Sequence, residues 1–162
     1  MMRTWFIVIV VLFLASCGFT PRQANLVPQE LRQLTLTSQP STQAFAESLR
    51  QLGMVNDLVW SSESSIRLRL KDEKVTRRLL SVFASGQVAE YELNYTLRYQ
   101  LSVNSASIPL EITILRDYQD DPKQVLAKSL ELELIMQELR GQAAEQLLRT
   151  LAVNYETALL ME

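Results

Sequence analysis

Tyr91-Glu92-Leu93-Asn94-Tyr95-Thr96-Leu97-Arg98-Tyr99-Gln100-Leu101-Ser102-Val103 decides the fold. Tyr91, Leu93, Tyr95, Leu97, Tyr99, Leu101 and Val103 alternate without a break with polar residues. A period of two puts one set on each face of an extended strand, whereas a helix would mix them around its circumference. Upstream, Ile66, Leu68 and Leu70 alternate with Arg67, Arg69 and Lys71. Charges at Asp72, Glu73 and Lys74 interrupt this run before Leu79, Leu80, Val82 and Phe83 resume it, which predicts one long strand with a bulge or two short ones. Ser85-Gly86 supplies a turn. Downstream of Asn104-Ser105-Ala106-Ser107, Ile108, Leu110, Ile112 and Ile114 form a third alternating run. The three runs predict an antiparallel meander, apolar on one face and polar on the other.

Such a sheet needs a cover for its apolar face. Leu34-Thr35-Leu36-Thr37 reads as a first short strand. Ser38-Gln39-Pro40-Ser41 offers turn and N-cap chemistry for a helix carrying Phe45, Leu49 and Leu52, with Gly53 as its left-handed stop. Asp121-Pro122 predicts the start of a long second helix. Val125, Leu132, Met136, Leu139, Ala143 and Leu147 form one stripe on it, and Leu126, Leu130, Ala144, Leu148 and Leu151 form another. One stripe covers the sheet, so the second must meet the first helix or another protein. The expected fold is α+β: a two-layer β-α-β-β-β-α sandwich, with a four-stranded mixed sheet and two helices packed on one face.

The 162 residues provide for one domain. Sixteen basic against eighteen acidic residues leave a net charge of −2, so no overall positive field exists to hold nucleic acid. With no histidine and a single cysteine, there is no imidazole for a catalytic triad or zinc site, and no internal disulfide. Four glycines, at 18, 53, 86 and 141, do not make a phosphate-cradling loop. Asp117, Asp120 and Asp121 lack the ligand alternation of a calcium loop and read as helix-capping groups. Glu90 and Glu92 share a strand face, as solvated carboxylates usually do. No metal, cofactor or catalytic residue is expected.

The N-terminus reads as an address. After Arg3, the apolar run Trp5–Ala15 is too short to span a bilayer, which takes about 20 residues, and it stops at Ser16-Cys17-Gly18. This is the pattern of a secretory signal. Leu14-Ala15-Ser16-Cys17 resembles the lipobox of bacterial lipoproteins, which implies cleavage before Cys17 and acylation of that residue. The expected organisation is a removed signal peptide over 1–16, an acylated cysteine and tether over 17–33, and one domain over 34–162. Gly18 resembles the default for sorting to the outer membrane, which gives a periplasmic-face location on outer-membrane lipid.

Two cationic features stand out in the mature chain. Arg67, Arg69 and Lys71 project together from one strand, with Lys74, Arg77 and Arg78 following. Guanidinium forks match phosphate geometry, so an anionic head group suits them, as does the plain role of keeping an edge strand soluble. Lys128 lies beside the first helical stripe, where a lysine either snorkels or presents its ammonium to an anion.

Taken in order, Cys17-Gly18-Phe19, Ser85-Gly86-Gln87-Val88-Ala89-Glu90-Tyr91, Arg116-Asp117-Tyr118, Asp121-Pro122, Leu126-Ala127-Lys128 and Ala143-Ala144-Glu145-Gln146-Leu147-Leu148-Arg149 resemble the LptE family of LPS-assembly lipoproteins. The resemblance implies a non-catalytic plug of the outer-membrane β-barrel LptD. Such a plug helps the barrel fold and contacts lipopolysaccharide on its way to the cell surface, with Lys128 and the basic strand of Arg67, Arg69, Lys71, Arg77 and Arg78 as the expected contact residues. It also implies a lipopolysaccharide-binding lysine at Lys128 and an arginine before the hairpin turn. Ala84 occupies that second position, and Arg77 and Arg78 are the replacements that the strand register must decide. Another reading is a free-standing lipoprotein that binds a different anionic envelope ligand through Arg67, Arg69 and Lys71.

Overall fold

The computed structural model of the chain describes residues 26–161. The signal peptide and Cys17 lie outside the described residues. Strand β1 (Gln33–Thr37) leads through a 3₁₀ turn at Pro40–Thr42 into helix α1 (Gln43–Val55), followed by β2 (Val59–Trp60). The long strands β3 (Ile66–Val82), β4 (Val88–Val103) and β5 (Ala106–Gln119) come next, and helix α2 (Val125–Leu159) closes the chain. The sheet order is β2-β1-β3-β4-β5. The first three strands of that order pair in parallel, and the meander is antiparallel.

The sheet has five strands, where four were expected. Val59 and Trp60 pair with Gln33 and Leu34, a two-residue strand too short to leave an alternation in the sequence. The chain also enters the fold earlier than the expected tether allows. Val27 and Leu31 are buried, and the backbone amide of Leu26 donates to the Asn56 side chain at 3.2 Å.

The alternating residues fall where the period of two puts them. Leu68, Leu70, Tyr95, Leu97, Tyr99, Leu101, Val103, Ile108 and Ile112 share one face and form a single core with Phe45, Ala46 and Leu49 of α1 and Leu139, Ala143, Leu147 and Leu151 of α2. The interruption at Lys71–Lys74 is a bulge. Leu70 pairs with Tyr99 and Asp72 with Arg98, so one residue is extra and the inward phase moves to Glu73, Val75, Arg77 and Leu79. The second stripe of α2 divides along its length: Ala144, Leu148 and Leu151 are buried, while Leu126 and Leu130 face solvent.

The helix ends differ from the expected caps. The N-cap residue of α1 is Thr42, which makes no side-chain cap bond to the helix; its hydroxyl closes the preceding 3₁₀ turn instead, where Thr42 Oγ1 accepts from the Gln39 amide at 3.0 Å and donates to the Gln39 carbonyl at 3.1 Å. Gly53 does not end α1, because the left-handed residue there is Asp57, with φ 58°. Gly53 is instead a point of close approach, where a β-carbon would lie 2.7 Å from Cζ2 of Trp60. Asp121 closes a turn ahead of α2, accepting from the Lys123 amide at 2.9 Å and from Gln124 Nε2 at 2.8 Å, and these two bonds pull its carboxyl below the usual range. Gly86, with φ 83°, does hold the β3–β4 turn.

Candidate functional site

The bulge sorts the cations of β3 onto two faces. Arg67 and Arg69 lie opposite Ser102 and Gln100 on the outer, polar face, and Arg78 lies opposite Glu92 on that same face. Arg78 is spent locally: its Nε sits 3.0 Å from Glu92 Oε1, and this partner raises its pKa. Lys71 borders a shallow concavity of the outer face with Arg98, Gln100, Pro109 and Glu111. Arg98 Nε is held by Glu111 at 2.9 Å, whereas Arg67, Arg69 and Lys71 form no ion pair among the described residues.

Arg77 is on the other side, the helix face. It pairs with Leu93, and its guanidinium carbon lies 6.0 Å from the ring centre of Tyr91. Tyr91 pairs directly with Tyr118 of β5, and Lys128 Nζ lies 5.4 Å from the ring centre of Tyr118. Directly opposed residues on antiparallel strands have β-carbons about 4.5–5.5 Å apart. Two cations therefore rest on two neighbouring rings, an arrangement that holds them without consuming their charge. The Tyr118 hydroxyl donates to the carbonyl of Lys128 at 3.0 Å and fixes the first turns of α2 over β5. Burial raises the Tyr118 pKa, with Asp120 adding to the effect and both Lys128 and Arg77 opposing it. Lys128 also bonds Glu131 Oε2 at 2.8 Å, which raises its pKa and keeps it cationic.

The register thus brings Arg77 and Lys128 to one surface and leaves Arg67, Arg69, Lys71 and Arg78 on the opposite one. Sequence reasoning found both cations but missed the tyrosine pair between them. In the sequence Tyr91 is one member of an alternating series. The missed signal was Tyr118, an aromatic residue beyond the end of the third apolar run. The two carboxylates that share a face of β4 are engaged locally: Glu92 holds Arg78, and Glu90 accepts from Ser81 Oγ at 2.8 Å. Among the described residues, no group of three or more His, Cys, Asp or Glu could hold a metal.

The family model LptE, described as Lipopolysaccharide-assembly, matches residues 27–151, which spans the sheet, α1, the tyrosine pair, Lys128 and most of α2. The chain belongs to the LptE family. It is 37% identical over 150 residues to the LPS-assembly lipoprotein LptE of Pectobacterium atrosepticum, covering 88% of this chain and 80% of that relative. It is 35% identical over 147 residues to the LptE of Photorhabdus laumondii, covering 88% of this chain and 81% of that one. Among solved structures, rare lipoprotein B from Shewanella oneidensis superposes with a TM-score of 0.68 at 34% identity, covering 77% of this chain and 97% of the other. LptE proteins are non-enzymatic lipoproteins of LPS assembly, in keeping with carboxylates tied up in surface pairs. No described helix is long and apolar enough to cross a membrane.

Proposed function

We propose that this LptE chain is the lipid-anchored plug and assembly factor of the LptD β-barrel. In this reading acylated Cys17 holds it at the periplasmic side of the outer membrane, and it contacts lipopolysaccharide on the way to the surface through Lys128 and Arg77. The observation that carries the lipopolysaccharide contact is the pair of cations resting on Tyr91 and Tyr118 on one face. Arg77 compensates for Ala84, because the Lys71 bulge turns it toward Lys128, while Arg78 points away. Arg77, which forms no ion pair among the described residues, and Lys128, whose ammonium a ligand would share with Glu131, suit the phosphates of an anionic glycolipid. The polar outer face of the sheet suits the polar lumen of a large outer-membrane barrel.

The test is isolation from detergent-extracted envelopes together with depletion. A plug brings a β-barrel with it, and its depletion leaves LptD misfolded and lipopolysaccharide missing from the surface. A chain always recovered alone, with LptD folding normally after depletion, contradicts the reading. The anchor is tested separately by mass spectrometry of the purified protein, which should find an N-terminal Cys17 carrying fatty acyl groups, whereas an unmodified Cys17 contradicts the anchor.

A further inference from the structure

The two cations of the tyrosine face are held differently. Arg77 rests on Tyr91 and forms no ion pair among the described residues, whereas Lys128 rests on Tyr118 and also bonds Glu131 Oε2 at 2.8 Å. We propose that Glu131 is a built-in counter-ion, which occupies the place of a lipopolysaccharide phosphate on Lys128 and speeds release of the ligand. This rests on the proposed lipopolysaccharide contact through Lys128 and Arg77.

Lys128 stands where an anion is favoured. It is the fourth residue of α2, at the end where the helix dipole and the free amides of the first turn make the surroundings positive, and that turn contains no acidic residue. Its backbone is pinned from two sides. The Lys128 amide donates to the Gln124 carbonyl at 2.9 Å, and its own carbonyl accepts from the Tyr118 hydroxyl at 3.0 Å. The ammonium alone is left to change partners. Glu131, three residues on, shares that face of the helix. Its side chain is 47% exposed, against 19% for Lys128, so the carboxylate is the member of the pair that swings into water.

Such a pair yields to a phosphate. An ion pair at a partly exposed helix surface shifts an equilibrium by only about twofold to fivefold, and the order of Lys before Glu opposes the helix dipole. A phosphate brings more acceptor oxygens and makes stronger charge-assisted bonds. The displaced carboxylate gains no better place. The concavity on that flank of α2 is lined by Glu90, Asp117 and Glu138 as well as Glu131, and the cation among its lining residues, Arg116, already holds Glu138 at 3.3 Å. Glu131 therefore returns to Lys128 when the phosphate contact opens, and it blocks recapture. Arg77 has no such competitor. One cation keeps a passing ligand and the other lets it go.

The test is binding of purified lipopolysaccharide by the full mature protein, with dissociation followed in time. E131Q keeps the size of the side chain and removes the competitor, so it should tighten binding by up to about fivefold, mostly through slower dissociation. The gain should vanish when K128A/E131Q is compared with K128A, and persist when R77A/E131Q is compared with R77A. Glu133 is exposed on the same helix and forms no ion pair among the described residues. E133Q makes the same charge change there and should reproduce none of the gain. Circular dichroism checks the fold of each variant.

Unchanged or weaker binding by E131Q overturns the proposal. So does a gain that E133Q matches, because it reports overall charge, or a gain that K128A does not remove. Failure of the lipopolysaccharide contact itself looks different. In that case K128D and R77A bind as the wild type does, and the counter-ion falls with the contact; a wrongly assigned counter-ion leaves both of those losses in place with no gain from E131Q.

Discussion

The two halves of the β3–β4 hairpin have similar strand chemistry and different fates. Near the β4–β5 turn the inward residues Leu68, Leu70, Leu97 and Leu101 are fully buried beneath α1 and α2. Toward the β3–β4 turn the alternation continues, yet Leu79 is 53% exposed and Phe83 47% exposed, and Leu126, Leu130 and Leu134 of α2 lie in solvent. Two helices cover only part of a sheet whose strands run about 50 Å. The difference teaches that alternation specifies a strand and its faces, while what covers the face depends on how far the other elements reach. Stability is concentrated at the end of the sheet near the β4–β5 turn. The far end keeps its apolar and cationic side chains available to something else.

The largest expected effect comes from carving the covered half. Leu101 packs between Leu68 and Ile108, so Leu101→Ala should cost about 3 kcal/mol in chemical denaturation. The seam between the halves comes next. Glu73, turned inward by the bulge, is nearly buried and holds Arg140 of α2 at 2.7 Å, the only ion pair in which β3 grips α2 among the described residues. Glu73→Ala should destabilise by about 2 kcal/mol, because it strands a partly buried guanidinium. Replacing both partners with leucine and methionine should recover most of that loss.

A smaller effect appears only in alkali. Burial pushes Tyr95 well up, with the nearby Glu73 adding to it, and burial also raises Tyr99. For an acid that is neutral when protonated, a raised folded pKa means the unfolded chain ionises first. Stability is then complete below the ordinary tyrosine value of about 10 and lost as pH rises above it. Ultraviolet titration should show these two rings ionising only as the protein unfolds. The smallest effect comes from the open half: Leu79→Ser or Phe83→Ser should change the stability of the isolated protein by less than about 0.5 kcal/mol. A loss comparable to that of Leu101→Ala would mean that this half is covered after all.

Much of the fold was legible. The three alternating runs gave β3, β4 and β5, because a half-buried strand has to segregate its side chains every second residue. The divided stripe of α2 announced two kinds of neighbour. β2 was not legible, since two residues carry no period, and neither was the role of Gly53, which depends on where Trp60 lands. Within the candidate site, Lys128 stood out as a charge beside an apolar stripe. Arg77 could not be separated from Arg78 until the position of the extra residue was known, because a one-residue shift sends every side chain to the opposite face. Glu73 and Arg140 escaped notice for a related reason. Their contact joins residues 67 apart in sequence, and it exists only because the bulge turns an acid inward.

The most direct measurement is lipopolysaccharide binding by purified, folded variants of the full mature chain. R77A and K128D should each weaken binding about tenfold or more, the scale of one charge-assisted contact of roughly 1.5 kcal/mol, while R78A leaves it unchanged and all three retain LptD. Equal losses for R77A and R78A, or wild-type binding by R77A, would contradict the assignment of one cationic tyrosine face as the lipopolysaccharide contact.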